Sequence, residues 1–127
     1  MTNYEYLTGP DLPDHKIPPQ ERSYSGTTIG VLVAQAHYAM LPGNVANACT
    51  YPFPVEYHQL EGISFERIVA GDPKVAEAVI EGGRSLAQRG ARAVVGACGS
   101  FANYQQAVAA ALDVPVFLSS MLQVPWV

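Results

Sequence analysis

The chain has 127 residues, of which 49% are hydrophobic and 14% are charged, and its formal net charge is -4. This length and composition predict one domain with a core of its own and exclude disorder of the whole chain. The acidic balance leaves no basic stripe, so we expect no nucleic-acid partner.

The N-terminal segment predicts an extended arm. Residues 1–26 contain four prolines among polar side chains and show no apolar period of either kind. They lack a basic stretch followed by an apolar one, and no apolar run approaches the roughly twenty residues of a membrane-spanning helix. We therefore expect a cytoplasmic protein without a membrane partner, in which residues 27–127 form the folded lobe.

Two predicted strands flank a long loop. Residues 28–33 form a β-branched run that is typical of a strand covered on both faces, and residues 55–60 alternate as a second strand. Residues 34–54 between them contain Pro42-Gly43-Asn44 and Pro52-Phe53-Pro54. This punctuation predicts a loop with at most a short helical turn, and long ordered loops often form sites.

A helix is predicted to begin at Asp72, because Asp can cap free N–H groups and Pro73 suits the first helical position. Apolar or small residues then recur at helical spacing, at Val75, Val79, Gly82 or Gly83, and Leu86. Gly90 ends the helix. The glycine pair costs roughly 1 kcal/mol per glycine relative to alanine, which indicates close packing on the sheet.

The remaining elements continue the alternation. Strand three is predicted at 93–97, a helix at about 101–112, strand four at 114–118, and a further helix opening at Ser119-Ser120. Strands that alternate with helices imply right-handed βαβ crossovers. The expected fold class is α/β, a three-layer α/β/α arrangement with a four-stranded, mostly parallel sheet. The last element presents apolar residues that nothing obvious covers.

Phosphate and metal motifs are missing from the sequence. There is no G-x-G-x-x-G after strand one, no G-x-x-x-x-G-K-[ST] and no H-E-x-x-H, so we expect neither a cofactor nor a metal site. His37 directly follows strand one and is the best placed histidine, although a lone histidine is more often a solvated or core side chain. Cys49 lies in the proline-rich loop with nothing nearby to activate it, and we expect no role for it.

The most informative stretch is residues 91–101, an apolar run that stops at Cys98 and then opens a helix. Side chains at the carboxyl end of a parallel strand face the crevice in which open α/β sheets bind ligands, and the next helix aims its N–H groups there. Gly99 lets backbone approach a ligand, and Ser100 supplies a hydroxyl. The alternative is that Cys98 is a small buried hydrophobe. Of Ser119 and Ser120, one is expected to cap the last helix and the other to donate to an anion shared with Cys98.

Three ordered patches resemble the aspartate/glutamate/hydantoin racemase superfamily. They are Leu41 to Asn47 with residues 51–55, residues 90–93 leading to Cys98-Gly99, and residues 114–117 leading to Ser119-Ser120. The resemblance implies cofactor-independent proton transfer at a carbon next to a carboxylate, with two thiols on opposite faces of the substrate. By similarity, Cys98 is the first thiol. The implied carboxylate-binding residues are Gly99, Ser100, Ser119 and Ser120, with Asn44 and His37 at the mouth.

The resemblance covers only the N-terminal half of such enzymes, so the C-terminal lobe and its thiol are expected to be absent from this chain. It implies a homo-oligomer, or a partner that supplies the second lobe. The predicted function is a racemase-like isomerase that acts on an amino acid or related small carboxylate. Two alternatives stay open: a cysteine-dependent lyase or cis–trans isomerase of the same superfamily, and a non-catalytic carboxylate-binding or assembly domain.

Overall fold

The computed structural model describes residues 26–127. The predicted arm, residues 1–26, therefore lies outside the described residues apart from Gly26. The strands are β1 (Ile29–Ala34), β2 (Val55–Leu60), β3 (Val94–Gly96) and β4 (Val116–Phe117), and the α-helices are α1 (Phe65–Val69), α2 (Ala76–Gln88) and α3 (Gln105–Ala111). Segments of 3₁₀ helix cover Ala48–Thr50, Pro73–Val75, Gly99–Tyr104 and Ser120–Trp126.

The four strands form one sheet in the order β2-β1-β3-β4, and every neighbouring pair is parallel. Val31 in the middle of β1 lies opposite Tyr57 of β2 and Val95 of β3. The predicted α/β fold with a four-stranded parallel sheet is confirmed. Because all the strands run the same way, their carboxyl ends meet at one edge of the sheet.

Helices α2 and α3 pack together against one face of the sheet, and the glycine pair of α2 makes this contact possible. A Cβ on Gly82 would lie 2.8 Å from the Leu32 Cδ2 atom, and one on Gly83 would lie 3.0 Å from the Leu112 Cδ2 atom. Gly82 thus packs closely on the sheet, as predicted, whereas Gly83 packs against the residue that follows α3. The core between these layers includes Leu32, Leu60, Val75, Val79, Leu86, Val94, Phe101, Val108 and Leu118.

The helix predicted to begin at Asp72 does begin there, because Asp72 caps it. Its carboxylate accepts a hydrogen bond from the Lys74 N–H at 2.9 Å, and Arg67 pairs with it at 2.9 Å. The Lys74 N–H first, and then Arg67, hold the pKa of Asp72 below its ordinary value. The segment begins as a 3₁₀ turn at Pro73, continues as α2, and gives way to Gly90, whose φ of 98° few other residues adopt.

The far end of α2 is tied to β2 by an ion pair. Arg89 Nη1 lies 2.7 Å from the Glu56 Oε1 atom, and both side chains are largely buried. His58 Nδ1 lies 3.4 Å from Arg89 Nη2. Burial first, and then the Arg89 charge, lower the pKa of His58, while Glu61 acts in the opposite direction.

Several elements differ from the prediction. The sequence analysis missed α1, because five residues are too few to show a helical period. The helix predicted at about 101–112 begins as a 3₁₀ segment, with α3 starting only at Gln105. The last helix is entirely 3₁₀ and contains Pro125, which has no N–H for an α-helical hydrogen bond. Within residues 26–127, no helix combines the length and apolar character needed to cross a membrane.

Candidate active site

A cleft of about 480 Å³ opens at the carboxyl edge of the sheet, where β3 and β4 end. Its walls include Cys98 and Gly99 after β3, Ser119 and Ser120 after β4, and Val45 from the long loop. We call it the β3–β4 cleft. Its position agrees with the rule that open parallel sheets bind ligands beyond the carboxyl ends of their strands.

Gly96 brings the two strand ends together. A Cβ at this position would overlap the carbonyl oxygen of Leu118 and lie 3.1 Å from the Phe101 Cβ atom. Glycine therefore permits a close approach that no other residue allows, and it places Cys98 and Ser119 in one cleft. The sequence analysis included Gly96 in strand three without assigning it this role.

Gln105 holds β4 in place from the start of α3. Its Nε2 atom donates to the Val116 carbonyl at 2.8 Å, and its Oε1 atom accepts from the Leu118 N–H at 2.9 Å. These two bonds fix the strand end that leads into Ser119. The sequence analysis missed Gln105, and its only sequence signal is a polar residue within a predicted helix that is otherwise largely apolar.

Cys98 is half-buried at the start of the 3₁₀ segment Gly99–Tyr104. Cys98 packs against the edge of the core and also lines the cleft, so apolar side chains do not enclose it completely. The first hydrogen bond of the segment runs from the Phe101 N–H to the Cys98 carbonyl at 3.1 Å. The N–H groups of Gly99 and Ser100 precede that bond and have no acceptor within the helix, which leaves them suited to an anion.

Ser119 is buried and caps the segment Ser120–Trp126, because its hydroxyl oxygen accepts the Met121 N–H at 3.1 Å. The hydroxyl proton is still able to donate to a ligand. A Cβ on Gly99 would lie 3.9 Å from this oxygen, so the two residues lie close together in the cleft. Ser120 is exposed and also lines the cleft. The expectation that one of the two serines caps the last helix is confirmed for Ser119.

The other predicted site residues lie elsewhere. Asn44 shapes the long loop: its Oδ1 atom accepts the Ala46 N–H at 2.8 Å, and its carbonyl accepts the Thr50 hydroxyl at 2.6 Å. The cleft is lined by the neighbouring Val45 and not by Asn44 itself. His37 is exposed and Ser100 is half-buried, and neither lines the cleft. Substrate contacts by these three residues stay predictions.

The cleft has an aromatic wall that the sequence analysis did not assign to the site. Phe117 and Trp126 both line it, with 55% and 79% of their surfaces exposed. Their signal in the sequence was the uncovered apolar character of the last element. Cys98 is the only ionisable residue among the described residues that line the cleft. Across residues 26–127, no group of three or more His, Cys, Asp or Glu side chains is placed to hold a metal ion.

Comparison with known proteins yields a small group of distant relatives. The chain is 27% identical over 118 residues to a dimethylsulfoniopropionate lyase of Durusdinium sp. clade D, an alignment that covers 90% of this chain and 39% of the relative. It is 26% identical over 100 residues to dimethylsulfoniopropionate lyase 7 of Emiliania huxleyi, covering 77% of this chain and 29% of that protein. The chain thus spans about two fifths, or less, of the length of these curated relatives. No protein-family model matches it, and no solved structure does.

These relatives overturn two predictions from the sequence. The assignment to the racemase superfamily is wrong, because the matched proteins are named as lyases and no family model supports a racemase. The predicted isomerase function fails for the same reason. The strand ends that carry Cys98-Gly99 and Ser119-Ser120 place a thiol and two hydroxyl groups in one cleft, and this pattern does not specify which bond of a substrate breaks. The relatives are enzymes by name, and the reaction class that their names print is that of a lyase.

Proposed function

We propose that this chain forms the thiol-bearing part of a lyase that eliminates a leaving group from a small carboxylate. Dimethylsulfoniopropionate, the compound in the names of the relatives, is the first substrate to test. The observation that carries the proposal is the β3–β4 cleft, in which the half-buried Cys98 and its neighbour Gly99 follow β3 and the buried Ser119 follows β4.

The proposed reaction is a β-elimination with Cys98 as the base. In dimethylsulfoniopropionate the sulfonium sulfur is bonded to the carbon next but one to the carboxylate. The Cys98 thiolate accepts a proton from the carbon adjacent to the carboxylate, and the C–H electron pair forms the new C=C bond. The C–S bond breaks and its electrons stay on sulfur. The products are acrylate and dimethyl sulfide, with the proton on Cys98 until water removes it.

The carboxylate of the substrate is held by donors at the two strand ends. The Gly99 N–H group and the Ser119 hydroxyl can bind its oxygens, with Ser120 at the exposed side of the cleft. As the proton leaves, negative charge spreads onto those oxygens, so the same donors stabilise the transition state more than the ground state.

A neutral leaving group explains why one thiol suffices for this chemistry. Inversion of a stereocentre needs a base on one face and an acid on the other, whereas dimethyl sulfide departs without a proton. One ionisable group in the cleft, Cys98, therefore meets the requirement of the elimination.

The test is to measure dimethyl sulfide by gas chromatography and acrylate by NMR, using the full chain and two cysteine variants. We expect C98A to lower the elimination rate by about 10²- to 10⁴-fold, the usual contribution of a positioned general base. The matched control is C49A, because Cys49 is exposed and lies outside the lining of the β3–β4 cleft. It should keep the wild-type rate within about twofold, as expected for an exposed substitution away from the site.

Either of two results would overturn the proposal. One is a wild-type chain that releases no dimethyl sulfide. The other is a C98A variant as active as C49A, which would show that the proton is removed by another group.

A further inference from the structure

We infer that the aromatic wall of the β3–β4 cleft, Trp126 with Phe117, is a recognition site for a methylated cation. The inference rests on the proposed function, since it assigns the part of the substrate that lies opposite the carboxylate. It names the substrate class of the cleft as small zwitterions that carry a carboxylate at one end and a sulfonium or quaternary ammonium group at the other.

The charges in the cleft leave one way to recognise a cation. Among the described residues that line it there is no Asp or Glu, so none of them offers a carboxylate to a bound cation. A sulfonium or quaternary ammonium group also has no N–H to donate, so hydrogen-bond acceptors do not recognise it. What remains is the face of an aromatic ring, whose quadrupole attracts a cation within about 6 Å, and tryptophan is the strongest such ring.

The two aromatic rings are open to a ligand. Trp126 is 79% exposed and Phe117 is 55% exposed, and both line the cleft. The aliphatic residue beside them in the cleft wall, Leu122, is half-buried.

A further argument comes from how Trp126 is held. It ends the 3₁₀ segment that Ser119 caps, so the proposed carboxylate donor and the aromatic ring belong to one continuous stretch of chain. Pro125 directly precedes Trp126 and restricts the backbone there, and the Val127 N–H donates to the Val124 carbonyl at 3.4 Å. The backbone that carries the ring is therefore restrained relative to Ser119, and a ligand recognised at both ends requires such a restraint.

The test uses two ligands of the same shape that differ in charge. 3-(Trimethylammonio)propionate carries the cation, and 4,4-dimethylpentanoate replaces the nitrogen with carbon; both keep the carboxylate. Isothermal titration calorimetry on the full chain should show that wild type binds the cationic ligand about 5- to 30-fold more tightly, the range expected of a cation–π contact. W126L should reduce this preference to about twofold or less, while W126F should keep part of it.

Controls separate charge recognition from packing. S119A should weaken both ligands to a similar extent and keep their ratio, because it removes a donor to the shared carboxylate. The affinity of C98A for dimethylsulfoniopropionate, which this variant should convert only slowly, is compared with its affinity for the ammonium ligand. The circular dichroism spectrum of W126L should match that of wild type, since the side chain is exposed.

The inference is overturned if W126L keeps the wild-type ratio, if it weakens both ligands equally, or if wild type binds neither. Its failure is distinct from that of the proposed function. If the protein catalyses elimination but shows no preference for the cationic ligand, only the aromatic recognition site is contradicted. If it prefers the cationic ligand but does not catalyse elimination, only the lyase function is contradicted.

Discussion

At the scale of single residues, Ser119 links the fold to the cleft, because one buried hydroxyl serves both. Its oxygen accepts the Met121 N–H, and its carbonyl accepts the Leu122 N–H at 3.2 Å. The hydroxyl proton then remains for the ligand. A substitution here should therefore change stability and substrate binding together, whereas most surface serines affect neither.

We predict that S119A lowers the free energy of unfolding by about 1 kcal/mol, the usual cost of removing an N-cap. It should also raise the KM for dimethylsulfoniopropionate about tenfold or more, because a hydrogen bond to a charged group is lost. Urea denaturation and initial rates measure the two effects. S120A is the matched control for stability, since Ser120 is exposed and caps nothing in the described structure. An unchanged KM in S119A would show that the Ser119 hydroxyl does not bind the substrate.

The sequence predicted that four residues at the strand ends lie together, but it did not predict that Ser100 lies outside the cleft lining or where the loop residues lie. Cys98, Gly99, Ser119 and Ser120 were predicted to meet because parallel strands end at a common edge, and they do line one cleft. His37 and Asn44 lie on the long loop, whose path depends on bonds such as the one from Thr50 to Asn44 and not on periodicity. Trp126 was seen only as uncovered, because the cleft that it lines exists only once β3 and β4 have come together.

At the scale of elements, the approach of β3 to the end of β4 is the decisive contact. Gly96 provides the space, and Gln105 bonds to both Val116 and Leu118. The cleft follows from this junction, since its two walls are the segments that leave these strands.

We predict that G96A lowers the free energy of unfolding by about 1–3 kcal/mol, because the new methyl group meets backbone that cannot move aside as a side chain does. G99A is the matched control three residues away, where the nearest atom to a new Cβ is Ser119 Oγ at 3.9 Å. It should change stability by no more than about 0.5 kcal/mol. Thermal and urea denaturation measure the stability of both variants. If G96A and G99A are equally stable, the predicted clash at position 96 is contradicted.

Elements with local signals were predictable, and those set by tertiary contacts were not. The capping pair Asp72-Pro73 and the glycine at 90 predicted both ends of the helical segment that contains α2. Strand two matches its predicted range, 55–60. Strand four is shorter than predicted, two residues against 114–118, because pairing with β3 decides where it ends.

At the scale of the whole molecule, pH acts on stability through His58. Burial, and then the neighbouring Arg89, lower its pKa below the ordinary value of 6.5. The folded state therefore favours neutral His58, and the contribution of this residue to stability is present above pH 6.5. It is lost as the pH falls from 6.5 toward the lower pKa of the folded state.

We predict that wild type becomes less stable between pH 7.5 and pH 5, and that H58Q shows a smaller loss over the same interval. Asp72 has its pKa lowered from an ordinary value of 3.8, so its contribution falls away at more acidic pH and does not obscure the comparison. Urea midpoints at several pH values measure the effect. The control is H37Q, which replaces an exposed histidine and should follow wild type; an H58Q curve that also follows wild type would refute the assignment.

The expectation that a second copy or another lobe completes the cleft stays a prediction. The exposed side chains of Met121 and Val124 offer apolar surface beside the cleft without lining it. The native mass of the protein, compared with the 13.6 kDa of one chain, is the measurement that bears on it.

The brevity of β4 has a consequence for motion. Within residues 26–127 this strand is two residues long and its one strand partner is β3, with two further bonds from Gln105, whereas β1 pairs with a strand on each side. Local opening of the edge strand β4 should therefore cost less free energy than opening of β1, and it would displace Ser119 and Trp126 together. Entry of a ligand into the β3–β4 cleft is then expected to need only a local fluctuation, with amide protons near residues 116–122 exchanging sooner than those of residues 30–33.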